Sequence, residues 1–221
     1  MIDVAELLKA PPLKGNPFAP ATYIHGEIEL GLLETRMGSR LLALPDTLFK
    51  AIDRTLDDEV GPAKSLIQQQ CGRWWGKSFY RRFLEEVGEY YQTPLRDLTM
   101  LQFVQCFQQC WSTLGWGKIK IRFDGYQYGL IVLEVQGAVS ETYLLQQDSV
   151  SCDIEIGFFG GFFSQLAGQD LQAVQVSGAS TDQDSYYFIV SVAEKAKTIA
   201  SLVEEGYNYH TIMERLCPNQ V

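Results

Sequence analysis

Cys152 opens the part of this chain where residue types and spacing come nearest to chemistry. Gly157 follows five residues on, then Gly161 and Gly168, with Phe158, Phe162 and Leu166 in the apolar places between them. A thiolate can ligate zinc or attack an electrophile, yet either role needs partners. The cysteines, Cys71, Cys106, Cys110, Cys152 and Cys217, contain no CxxC pair and number an odd five, so neither a disulfide framework nor a zinc ribbon is expected. Cys106 and Cys110, four residues apart on a predicted helix, read as buried apolar thiols. His25 and His210 are the only histidines and lie far apart. No GxSxG, no dinucleotide fingerprint and no P-loop lysine beside GFFGG is present, so no catalytic residue and no metal site are expected. Binding without catalysis is the expectation.

The alternative to bond-making chemistry is apolar contact. Trp74, Trp75, Phe79 and Trp111 could wall a pocket for a planar or acyl ligand, since aromatic rings supply large apolar area; ordinary core packing is the competing reading. The glycines permit either close ligand approach or close packing of a helix on a sheet. Glu85, Glu86 and Glu89 read as a solvated helix face.

These residues must be positioned by helices and hairpins in blocks. A short helix over Ile2–Lys9 leads into the proline- and glycine-rich APPLKGNPFAP, which breaks regular structure. Residues 1–22 are thus expected as an arm and residues 23–221 as a single domain. Strands are predicted at Glu27–Leu33 and Arg40–Leu44. A helix begins at Pro45-Asp46, with Leu48, Ile52 and Leu56 at helical spacing, and Gly61-Pro62 ends it and starts another. In that second helix Ala63, Leu66, Ile67, Cys71, Trp74, Trp75, Phe79, Phe83 and Val87 form one stripe, expected to be the buried face. Pro94 is expected to open a third helix carrying Phe103, Val104, Phe107, Cys110, Trp111 and Leu114. From Lys118 the period becomes two, giving a hairpin with one wet face and a second strand over Tyr128–Val135. A further pair is predicted at Leu171–Ser177 and Ser185–Val192, and the chain ends in helix. The fold class is α+β: an antiparallel sheet of hairpins packed against long helices.

The run Cys152, Gly157, Gly161 and Gly168 resembles the 4-vinyl reductase family of small-molecule-binding domains. In that pattern a Cys and three glycines lead to a strand bearing a Glu, then a Cys, a Gly and a final Cys just before a Phe. Counting on without a gap places Gln175, Gly178, Asp182 and Tyr186 there, with Phe188 matching the closing Phe. GPAKSLIQQQCGRWWG and LGWGKIKIRF are similar to the family's earlier helix and its glycine-aromatic approach to the sheet. The resemblance implies a TRAPP-subunit-like fold, commonly a homodimer, with an apolar pocket lined here by Trp74, Trp75, Phe79, Trp111, Cys152, Phe158 and Phe162. It implies a bound tetrapyrrole or lipid-like molecule and no required cofactor. The missing Glu and Cys residues leave one thiol, which argues against zinc and against reductase chemistry. The stand-alone cyanobacterial members linked to photosystem II assembly are the expected kin. Their resemblance implies an accessory factor with photosystem assembly proteins as partners, peripheral to the thylakoid membrane. The rival expectations are an interaction scaffold with a closed pocket and a component of a tetrapyrrole vinyl reductase.

Charge sets the outer bounds. Lys plus Arg number 18 against 27 Asp plus Glu, a formal charge of -9, which is the wrong sign for nucleic acid. Asp3 and Glu6 stand where a signal peptide would carry positive charge, and no apolar run approaches the roughly 20 residues of a membrane span. A cytoplasmic protein without a membrane span is expected.

Overall fold

The computed structural model describes residues 13–94, 97–140, 151–177 and 185–218. The expected Ile2–Lys9 helix lies outside them. The architecture is α+β, with a four-stranded antiparallel sheet between two helical layers.

After a helical turn at Pro20–Tyr23, the small hairpin β1 (Ile24–Glu27) and β2 (Leu32–Thr35) pairs Ile24 with Thr35. The strands expected at Glu27–Leu33 and Arg40–Leu44 are displaced: the turn falls inside the first, and the second contributes a single bridge from Arg40 to Glu34. Helix α1 (Asp46–Val60) starts where the Pro45-Asp46 signal places it. The 3-10 turn Gly61–Ala63 then leads into the 28-residue α2 (Lys64–Tyr91). The third helix, α3 (Met100–Thr113), begins past Pro94 because Thr99 and Gln102 form a reciprocal capping box.

The sheet runs β3 (Lys118–Arg122), β4 (Ile131–Gln136), β6 (Ser185–Ser191), β5 (Gln172–Val176), with α4 (Asp153–Ala167) crossing between the hairpins. Leu133 faces Phe188 across β4 and β6, and Phe188 faces Gln175 across β6 and β5. Alternation sends Leu133, Val135, Phe188 and Val190 toward α2, α3 and α4. It sends Val132, Tyr187 and Ile189 toward α5 (Ala193–Glu204) and α6 (Tyr209–Leu216). Both faces of the inner strands are therefore buried, and Lys118 and Lys120 on the edge strand β3 keep the wetness expected for the hairpin.

The contact that sets the helical layer is made by glycines. A Cβ on Gly72 would overlap the carbonyl oxygen of Ile154, one on Gly76 that of Phe158, one on Gly157 that of Gln69, and one on Gly161 that of Arg73. The glycines of α4 thus serve helix-on-helix packing against α2, rather than the helix-on-sheet packing considered for them from sequence; Gly160 alone turns toward β5.

The same contact corrects the expected stripe on α2. Its inward face over the first turns is Gln68, Gly72 and Gly76, whereas Leu66 and Trp74 are 71% and 63% exposed and Cys71 faces solvent. Only the later Phe83 and Val87 are fully buried as expected. Glu86 is likewise no solvated residue: it is 3% exposed, and Arg36 donates to its Oε2 at 3.0 Å, to its carbonyl oxygen at 3.0 Å and to Pro17 O at 3.1 Å. Thr113 Oγ1 donates to Phe18 O at 2.6 Å, and the Phe18 ring is fully buried against Tyr23 and Phe83.

Gly157→Ala or Gly72→Ala must push two backbones apart and is expected to cost about 2 kcal/mol or more, in the manner of core overpacking. Gly88→Ala, in the same helix with only Thr93 O near at 3.7 Å, is expected to gain about 0.5–1 kcal/mol of helix propensity. Urea midpoints of the three variants test this; similar shifts at all three positions would refute the close-contact account.

Candidate functional site

The site is built by α2, α3 and α4, which meet over the sheet in a nucleus of aromatic rings. Trp75 lies 4.3 Å from Phe158 and 4.6 Å from Trp116, centroid to centroid. Trp111 lies 5.1 Å from Phe158, 5.2 Å from Phe159 and 5.7 Å from Trp116. Phe79 continues the nucleus to Phe158 and Phe162, and Phe107 lies 4.7 Å from Phe162. The glycine-backed approach of α2 to α4 brings Trp75 and Phe79 onto Phe158 and Phe162: Trp75, Phe158 and Phe162 each adjoin a contact glycine in sequence, and Phe79 follows Gly76 by three residues.

Five of the seven residues proposed from sequence, Trp75, Phe79, Trp111, Phe158 and Phe162, are thereby placed together. Cys152, fully buried, joins the same core at the N-cap of α4, and its backbone N–H donates to Gln175 Oε1 at 2.8 Å. Gln175, at the place of the family's Glu, thus holds the start of α4 to the sheet. Trp74 stands apart on the outer face, with the Lys77 ammonium 5.6 Å above its ring. Trp116 is the residue that sequence reasoning passed over, although the glycines flanking it in LGWGK marked a turn that could carry it into the nucleus.

Within the nucleus one polar atom is without a partner. Trp111 is 1% exposed, and its indole Nε1–H has no hydrogen-bond acceptor. A buried donor left unpaired costs about 1–3 kcal/mol.

Polar groups surround the nucleus at the start of α4. Asp153 accepts from Ser65 Oγ at 2.7 Å and Gln69 Nε2 at 2.8 Å, tying α4 to α2. Glu155, fully buried, accepts from Ser140 Oγ at 2.6 Å and Ser140 N at 3.3 Å. Burial pushes its carboxyl above the usual carboxylate range, with a smaller push from Asp153, against the pull of the Ser140 bonds. Burial also pushes the Cys106 thiol up to about 12 and the Cys110 thiol well above its ordinary value, so both stay protonated. His25 and His210 are exposed. Among the described residues, no group of three His, Cys, Asp or Glu side chains lies close enough to hold a metal ion, and no helix is long and apolar enough to cross a membrane.

Two apolar spaces flank the nucleus. An open groove of about 540 Å³ lies between α2, α3 and α4, lined by Tyr80, Leu84, Leu98, Met100, Phe103 and Leu166, with Pro94 at its edge. A smaller void of about 40 Å³ lies deeper, against β3 and β4. None of the seven sequence-proposed residues lines either space. The groove residues carry no polar motif and escaped notice for that reason.

No family model matches the chain, and no curated protein matches it. Solved structures do. The phenol-responsive sensory domain of the transcription activator PoxR, crystallised with phenol, superposes at a TM-score of 0.60 and 13% identity, over 82% of this chain and 92% of that one. A vinyl-4-reductase family protein from Methanocaldococcus jannaschii gives a TM-score of 0.45 at 13% identity, over 68% of this chain and 83% of that one. At 13% identity the likeness to the PoxR sensory domain is one of fold.

Two outcomes test the electrostatics. Near pH 8, a thiol reagent is expected to label Cys71 rapidly, and the buried Cys106, Cys110, Cys152 and Cys217 only on unfolding. Rapid labelling of a second thiol would contradict the burial. For Glu155, the folded state holds the proton more tightly than the unfolded chain. Its contribution to stability is therefore complete below the unfolded range of about 4.3 and is lost as pH rises through the raised value. Denaturant midpoints of the protein are expected to fall relative to Glu155→Gln as pH rises above about 4.3; parallel profiles would overturn the assignment.

Proposed function

We propose that this chain is a non-enzymatic binding protein for a small apolar molecule bearing one hydrogen-bond acceptor, held in the aromatic nucleus against Trp111. The unpaired, buried Trp111 Nε1–H carries this reading. The rings of Trp75, Trp116, Phe158 and Phe159 would supply flat apolar contact, and the acceptor would remove the desolvation cost of the indole. Support comes from the fold shared with a sensory domain that was crystallised with phenol. The ring-to-ring packing of the nucleus means that a ligand must displace a neighbour, and Trp116 and Trp75, both partly exposed, are the ones with room to move.

A role as an accessory or assembly factor, for photosystem II or another complex, rests on the family resemblance alone. The homodimer that the same resemblance implies has a candidate surface in the exposed Leu48 and Ile52 of α1 and Leu66 and Trp74 of α2.

Calorimetry with phenol and toluene tests the site, since the two differ in the hydroxyl. Phenol is expected to bind about fivefold to tenfold more tightly than toluene, and Trp111→Phe to erase that preference. No saturable heat from either compound, or a preference that survives Trp111→Phe, would defeat the proposal.

A further inference from the structure

The groove between α2, α3 and α4 takes no part in the reading above. Its volume of about 540 Å³ falls within the roughly 300–1,000 Å³ of small-molecule sites. The deeper void continues it, since Met100, Phe103 and Leu166 line both spaces and form the partition between them. Beyond that partition stand Ile121, Phe123, Ile131 and Phe163, with Arg122 and Tyr126 beside them. Met100 is the first residue of α3 and is unbranched, so its side chain can swing aside at small cost.

We propose that this groove is a second binding site, for an elongated and uncharged apolar molecule whose body lies between α2 and α3 and whose tip passes the Met100 partition into the void. The uncharged lining sets the ligand class. Among the described residues, no Lys, Arg, His, Asp or Glu side chain lines the groove. Arg122 borders the inner void, but its guanidinium is held by Asp124 at 2.9 Å and Glu134 at 3.6 Å and lies over the Tyr209 ring, on the other side of the sheet. Tyr80 offers one hydroxyl, kept neutral by burial. A carboxylate in this groove would be desolvated without a counter-charge, and the net charge of -9 opposes it further. An alcohol or a hydrocarbon meets no such penalty. The site is separate from the Trp111 ring, which does not line it: Tyr80 meets the nucleus at Phe162, 5.5 Å away, and Phe103 meets it at Phe162 and Phe107, 6.3 and 6.1 Å away.

Nile red, a neutral fluorescent probe, tests the site in competition with 1-dodecanol and dodecanoate. Saturable Nile red fluorescence is expected, with dodecanol displacing the probe at concentrations at least about tenfold lower than dodecanoate. Leu166→Trp, which fills the groove, is expected to weaken Nile red by about tenfold or more. Leu98→Lys, at the partly exposed rim, is expected to fold normally and to bring dodecanoate close to dodecanol by supplying a counter-charge. Trp111→Phe is expected to leave Nile red unaffected, so the phenol site and this groove stand or fall separately. Equal displacement by the two C12 compounds, Nile red binding indifferent to Leu166→Trp, or dodecanoate unimproved in Leu98→Lys would each overturn the proposal.

Discussion

Two helices of this protein touch backbone to backbone, and most of the site follows from that contact. Gly72 and Gly76 on α2 face carbonyl oxygens of α4, while Gly157 and Gly161 on α4 face carbonyl oxygens of α2. Ordinary side chains hold helices about 8–10 Å apart. Four absent methyl groups allow a closer approach, with Cα–H groups against carbonyl oxygens as weak additional bonds. The approach pulls Trp75 and Phe79 inward to the rings of α4 and rotates Leu66, Cys71 and Trp74 outward. Exposed apolar surface on α2 is therefore the consequence of a tight contact on its other side.

Polar bonds fix the register that apolar packing leaves open. Ser65, Gln69 and Asp153 join the two helices beside the first glycine pair. Arg36 joins the β-hairpin, the N-terminal segment and Glu86 of α2, and Gln105 exchanges two hydrogen bonds with the backbone of Leu13. Each is directional, and removing one partner of the Arg36–Glu86 pair would leave a buried charge uncompensated. Among the described residues four buried side-chain atoms, Glu86 Oε1, the Tyr91 hydroxyl, Gln109 Oε1 and the Trp111 indole N–H, have no hydrogen-bond partner, and the Trp111 donor is the one that lies in the aromatic nucleus.

The helical layer thus divides apolar space in two. Near the glycine contact, rings fill the volume and the unpaired donor gives it polarity at one point. Toward the C-terminal end of α4, around Leu166 and Phe103, the volume opens into a groove that carries no charge among its described lining residues. The two environments differ in kind: one holds a single unpaired donor, the other is apolar along its described walls.

Sequence alone determined what depends on neighbours along the chain. Alternation marked β3, apolar runs marked the other sheet strands to within a few residues, and period 3.6 marked α1, α2, α3 and the closing helices, with Pro45-Asp46 and Gly61-Pro62 as boundaries, because these signals act over one or two turns, whereas α4 was not assigned. It also marked five of the aromatic residues that share the nucleus, since Trp75, Phe79, Trp111, Phe158 and Phe162 recur at helical spacing. Tertiary structure decided which side of α2 faces inward. A glycine stripe carries no apolar signal, so Leu66, Cys71 and Trp74 looked buried until a second glycine stripe met the first. It decided the fate of Glu86, whose partner Arg36 is 50 residues away. It also decided where space remains, because a groove is a property of three helices diverging and of no residue within them.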